Sequence, residues 1–143
     1  MVVDDLVVCG AEPLFMTDYI AVGKVFPERI AEIVSGIARG CEKAGTALVG
    51  GETAEPPGLL KEDEFDIAGA ATGAVDEENL LGEHKVKEGD LLIAMPSSGF
   101  HANGYSLIRY ILKEKNIKLE EIIGDKSLGE TLITPTEIYT LDC

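Results

Sequence analysis

The segment from Pro27 to Ala44 constrains the fold more than any other stretch. Ile30, Ile33, Val34, Ile37, Ala38 and Cys41 recur at the i, i+3, i+4, i+7 spacing of one helical face. Pro27 suits a first helical turn, where its missing N–H costs nothing. Glu28 and Glu32 lie near the positive end of the helix dipole, and Gly45 supplies a stop. This stripe is core, and no chemistry is assigned to it.

Strand patterns surround the helix. Leu14 to Val22 is rich in β-branched and aromatic residues, with Asp18 as its one charge. Thr46 to Val49 reads as a short buried strand. It is expected to end in Gly50-Gly51, so that Glu52 and Thr53 stand at a strand end and Glu55 follows. Glycine removes the side chain that would keep a ligand from the backbone. The same pair also suits a plain tight turn. Phe65 to Val75 is a long strand of small residues, suited to close cover by a helix or another subunit. At the start, Val2, Val3, Leu6 and Val7 read as helical turns ended by Gly10. Asp4 and Asp5 there are either a solvated face or a metal site. Cys9 and Cys41 are read as core.

A turn-rich stretch follows, and the chain is divided into a first domain, 1–76, a linker, 77–90, and a second domain, 91–143. Leu91 to Met95 is a continuous apolar run, the pattern of a strand buried on both faces. The loop from Pro96 to Gly104 leads into a helix over Tyr105 to Lys115, with Leu107, Ile108, Ile111 and Leu112 turned inward. A short helix is expected near Leu128–Leu132. Free N–H groups at a helix start bind anions, and Ser97, Ser98, His101 and Asn103 add side-chain donors. A Ser-Gly-rich turn of this kind is more often an ordinary connection. It lacks the lysine of a Walker A loop, and no G-x-S-x-G elbow frames either serine.

The formal net charge of −14, with scattered basic residues, argues against nucleic acid and acidic membranes as partners. It does not exclude a nucleotide carried by a divalent metal. Three widely spaced cysteines without a CxxC pair favour a reduced interior over a disulfide framework. No apolar run reaches membrane-spanning length. A soluble cytoplasmic protein is expected.

Four motifs in order then accumulate. They are Val3-Asp4-Asp5-Leu6 with Gly10 to Phe15, Asp18-Tyr19 and Gly23-Lys24; Gly50 to Glu55 with Pro57-Gly58; Ser97-Ser98-Gly99 with His101 and Asn103 to Leu107; and Pro135-Thr136 with Ile138-Tyr139. Together they resemble the aminoimidazole ribonucleotide synthetase (phosphoribosylformylglycinamidine cyclo-ligase) family. Pro56, Ala102 and Glu137 depart from its pattern, which often has Met, Ser and Arg there. The resemblance implies an α+β chain: most of a ferredoxin-like, dimerising first domain and the opening of a second α/β domain, truncated at both ends. It implies ATP-dependent ring closure of formylglycinamidine ribonucleotide in purine biosynthesis, with Mg²⁺, in a homodimer. Asp5 and Glu52 would hold the metal. Asp5, Asp18, Gly50, Gly51, Glu52, Thr53 and Ser98 would contact ATP or phosphate, and His101 and Asn103 would act on the reacting amide. Rival readings are a thiamine phosphate or selenophosphate-forming relative and a silent module that only dimerises.

Overall fold

The computed structural model describes all residues, Met1–Cys143. They form two compact units: Met1–Glu88 with Ile138–Cys143, and Gly89–Glu137.

The first unit contains α1 (Asp4–Val7), β1 (Glu12–Val22), α2 (Pro27–Lys43), β2 (Ala47–Ala54) and β3 (Phe65–Ala74). Its sheet has the order β2-β1-β3, with β1 parallel to β2 and antiparallel to β3. Parallel neighbours need a crossover, and α2 provides it. The helix starts at Pro27, after an extended Phe26, and runs to Lys43. Gly45 then turns at φ +67. Gly10 ends the first helical turns in the same left-handed way, at φ +81.

Ile20 is fully buried and Val22 nearly so, on the sheet face that α2 covers. Directly opposed residues share a face, and the register therefore places Met16, Asp18, Ile20 and Val22 with Leu48, Gly51 and Thr53 of β2 and with Ile67, Gly69 and Ala71 of β3. Cys41 of α2 donates a weak hydrogen bond to Met16 Sδ at 3.7 Å on this side. The helix α1 lies on the same side. A Cβ built on Gly69 would meet Val2 at 3.8 Å, and one on Gly73 would meet Leu6 at 3.3 Å. Phe15, Thr17, Tyr19 and Ala21 line the other face with Glu52, Ala68, Ala70 and Thr72. The closing segment returns to this unit. Thr140 Oγ1 donates to Asp4 Oδ1 at 2.7 Å, and a Cβ on Gly45 would touch Leu141 at 3.3 Å.

The structure corrects several expectations here. β2 does not end at Val49 but runs through Gly50-Gly51-Glu52-Thr53 to Ala54. Pairing along β1 supplies the hydrogen bonds, so the missing side chains do not end it. The irregularity predicted as a turn is instead a one-residue register shift, opposite Met16–Thr17. β1 begins at Glu12, with Pro13 inside it, beside a second shift. Cys9 is exposed and Cys41 buried, so only Cys41 belongs to the core.

The second unit contains α3 (Tyr105–Lys115), β4 (Ile122–Ile123), β5 (Lys126–Ser127) and α4 (Leu128–Leu132). β4 and β5 form a small antiparallel pair. Ser127 caps α4 through a reciprocal box: Glu130 N–H donates to Ser127 Oγ at 3.2 Å, and Ser127 N–H to Glu130 Oε2 at 2.8 Å. The Tyr105 hydroxyl donates to the Leu132 carbonyl and ties α3 to α4. Leu91–Met95 is not a buried strand. No strand pairs with it, and Leu91, Leu92 and Ile93 are 90%, 100% and 87% exposed. On α3, Ile108 and Leu112 are half-buried, whereas Leu107 and Ile111 are exposed.

Candidate functional site

In the first unit the residues singled out around β2 gather in an open groove of about 370 Å³. Asp18, Val34, Leu48, Val49, Gly50, Gly51, Glu52 and Thr53 line it. Asp18 comes from the middle of β1 and lies directly opposite Gly51. The absence of a side chain at Gly51 is what admits the Asp18 carboxylate. A Cβ there would stand 2.5 Å from Asp18 Cγ and 2.8 Å from Oδ2. Burial pushes the Cys41 thiol upward in pKa, and the neighbouring Asp18 charge adds to the effect. Cys41 is therefore a protonated thiol at neutral pH, not a nucleophile. Apolar walls from Val34, Leu48 and Val49 complete the groove. Val34 belongs to the helical stripe read as core, with no chemical role assigned.

The other acids are distributed. Glu52 borders the groove at the edge strand β2, but strand alternation turns its side chain to the face opposite Asp18 and Gly51, where it pairs in register with Tyr19. Asp5 is exposed on α1, on Asp18's side of the sheet. No three His, Cys, Asp or Glu side chains are grouped to hold a metal ion. Asp5 and Glu52 are thus not brought together on one face of the sheet. Glu55 is occupied structurally: its Oε1 accepts from Val25 N–H at 2.8 Å and ties the end of β2 to the turn after β1.

In the second unit, the loop before α3 is organised by its own polar groups. Ser97 Oγ lies 3.0 Å from His101 Nε2 and 3.0 Å from the Gly99 carbonyl oxygen. Gly99 N–H donates to Ser97 Oγ at 3.2 Å. Ser98 Oγ accepts from Glu137 N–H at 2.9 Å, and Asn103 Oδ1 from Gly104 N–H at 2.9 Å. Ser98 and Asn103 thus shape backbone as well as offering donors. His101 adopts φ +55, a region rare for residues other than glycine.

The first unit thus carries an acid-bearing groove and the second a polar loop that leads into α3, in a two-unit α+β chain. Residues 1–75 match the family described as AIR synthase related protein, N-terminal domain, and residues 87–143 match its C-terminal domain. The chain belongs to the AIR synthase related family. It is 55% identical over 141 residues to a phosphoribosylformylglycinamidine cyclo-ligase of Pseudothermotoga lettingae, covering 97% of this chain and 42% of the relative. Enzymes of the same name from Desulfitobacterium hafniense (DCB-2) and Acetivibrio thermocellus are 57% and 55% identical, over 97% of this chain and 41% and 42% of theirs. The chain thus spans about two fifths of the length of these relatives.

Proposed function

We propose that the chain serves the ATP-dependent cyclisation of formylglycinamidine ribonucleotide to aminoimidazole ribonucleotide, a cytoplasmic step of purine biosynthesis. The observation that carries this reading is more than half identity to cyclo-ligases over nearly the whole chain. ATP phosphorylates the formyl amide oxygen and turns a poor leaving group into a good one. An amidine nitrogen attacks that carbon, phosphate departs and a C–N bond closes the ring. The attacking nitrogen must also lose a proton, and an imidazole is suited to accept it near neutral pH. We assign that task to His101, with Asn103 orienting the amide and Ser98 contacting phosphate.

On the nucleotide side, Asp18, Gly50, Gly51 and Thr53 offer a carboxylate, close backbone approach and a hydroxyl. Mg²⁺ bound with triphosphate usually takes one or two protein carboxylates, with phosphate oxygens and water filling the rest. Asp5 and Glu52 are therefore assigned as separate single-carboxylate contacts, and no step is derived through the metal. The uncovered sheet face, with Phe15 39% and Tyr19 43% exposed, supports a homodimer through that sheet.

The test is turnover of ATP with formylglycinamidine ribonucleotide, alongside mass in solution and nucleotide titration calorimetry. Glu52→Gln and Asp5→Asn are each expected to weaken Mg²⁺-ATP about tenfold or more, since a charged contact contributes about 1.5–3 kcal/mol. Independent contacts give additive losses. Affinity unchanged in both variants removes them from the site. A stable dimer without turnover would favour a module that only associates.

A further inference from the structure

We propose that Asn103-Gly104 is a site of spontaneous covalent modification, where the chain converts its own asparagine to aspartate and isoaspartate. Asparagine is among the thermolabile residues, and the reaction needs only water as a partner. The Gly104 backbone nitrogen loses its proton to hydroxide and attacks the side-chain amide carbon, Cγ, of Asn103. The new N–Cγ bond forms as the Cγ–Nδ2 bond breaks. The amide nitrogen leaves as ammonia, and a cyclic imide remains. Water then opens the imide at either of its carbonyls. One opening restores the ordinary peptide bond and leaves a carboxylate on the side chain. The other routes the main chain through the side-chain carbon, as an isoaspartyl linkage. Nothing is oxidised or reduced.

Ring closure needs an unhindered nitrogen held close to the amide carbon. The asparagines of the chain are Asn79, Asn103 and Asn116, and only Asn103 precedes glycine. Leu80 and Ile117 follow the other two, and their side chains crowd the attacking nitrogen. Their N–H groups are also engaged elsewhere. Leu80 N–H donates to the Glu77 carbonyl at 3.3 Å, and Ile117 N–H to the Leu112 carbonyl at 2.9 Å. Gly104 N–H instead donates to Asn103 Oδ1 at 2.9 Å. Oδ1 is bonded to Cγ, so this contact seats the nucleophile beside the carbon that it attacks. A Cβ at Gly104 would meet nothing within 4 Å, which leaves open space for the imide. Asn103 and Gly104 are both exposed to the water that supplies base and opens the ring. The Gly104 carbonyl accepts from Leu107 and Ile108 N–H and so opens α3. An isoaspartyl linkage would lengthen the main chain just before that cap. The sequence alone supplies the Asn-Gly pair, but the aim of Gly104 N–H requires the structure.

The test incubates the folded full chain in mildly alkaline buffer and follows its peptide masses with time. Exchange of –NH₂ for –OH reads as a mass gain, and isoaspartate is detected by labelling with an isoaspartyl methyltransferase. Conversion at Asn103 should be about tenfold or more faster than at Asn79 or Asn116. It should give both products and quicken as pH rises. Asn103→Gln, which would need a larger ring, should slow conversion at this position about tenfold or more. Gly104→Ala, whose methyl group crowds the nitrogen, should act in the same direction. Conversion no faster at Asn103 than at the other two asparagines overturns the proposal. So does conversion in the urea-unfolded chain that is absent from the folded one. The site stands apart from the role given to Asn103 in cyclisation. If that role holds, turnover falls in step with conversion. Full turnover after complete conversion refutes the orienting role, whereas the masses still establish the modification.

Discussion

Gly51→Ala should destabilise the protein, and the sign of its effect should reverse once Asp18 is removed. The new methyl carbon would stand 2.5 Å from Asp18 Cγ and 2.8 Å from Oδ2. Carbon contacts are most favourable near 3.5–4.0 Å. The carboxyl group must therefore retreat by about 1 Å or change rotamer. Overpacking of this kind costs about 1–3 kcal/mol. Against it stands a gain of about 0.4–1 kcal/mol from the stiffer unfolded chain. In wild type the clash wins. In Asp18→Ala the clash is gone and only the gain survives, so Gly51→Ala becomes neutral or stabilising. The coupling between the two changes should be about 1–3 kcal/mol. Gly50→Ala is the internal control, because a Cβ there meets nothing within 4 Å. Urea denaturation, with amide exchange of β1 and β2 to localise the effect, measures all four variants. Equal destabilisation by Gly51→Ala with and without Asp18 would refute the apposition, and with it the floor of the groove.

Two further outcomes follow from single contacts. Burial raises the Asp4 carboxyl pKa. Hydrogen bonds from the N-terminal ammonium and Thr140, with the ammonium charge, outweigh burial and hold it below its ordinary value of 3.8. A depressed folded pKa gives stability that is present above the unfolded value and lost as pH falls through the folded one. Thr140→Val should therefore cost about 1–3 kcal/mol near neutrality and flatten the acid limb below about pH 4 in thermal melts; an unaltered limb would count against the contact. Ser127→Ala removes the capping box of α4 and should cost about 0.5–2 kcal/mol, whereas a melting temperature within error of wild type would show that the cap is idle.

Elements whose pattern repeats along the chain were legible in the sequence. The α2 stripe could be placed because a 3.6-residue period and end signals agree, and α4 because its core residues Leu128 and Leu132 stand at i, i+4. The run through Gly50-Gly51 was misplaced because two glycines carry no face pattern. What continues that strand is backbone pairing with β1, far away in sequence. Leu91–Met95 failed for the complementary reason: an apolar run becomes a strand only beside a partner, and none pairs with it here. Leu107 and Ile111 have the right period, but the packing of α3 covers only part of its stripe. Of the site, residue types were readable, but apposition was not. Asp18 and Gly51 meet only through the parallel register, which no local spacing encodes.

That register also decides what each face of the sheet can do. With α1 and α2 on one side, Asp18 lies in an open groove bordered by Val34 of α2, where its charge is felt by Cys41. Glu52, one residue beyond Gly51, is carried by strand alternation to the bare side. There its in-register neighbour is Tyr19, and Tyr19 in turn opposes Ala68 across β3. Small residues at 68 and 70 let another backbone approach that side closely, while Phe15 and Tyr19 provide apolar area to bury. A dimer formed through this face would thus enclose Glu52, whose charge would then need a partner or a cation. On the proposed function, association and nucleotide binding would then be coupled through one carboxylate. If that coupling holds, Glu52→Gln should tighten the dimer in the absence of nucleotide and remove the effect of Mg²⁺-ATP on it.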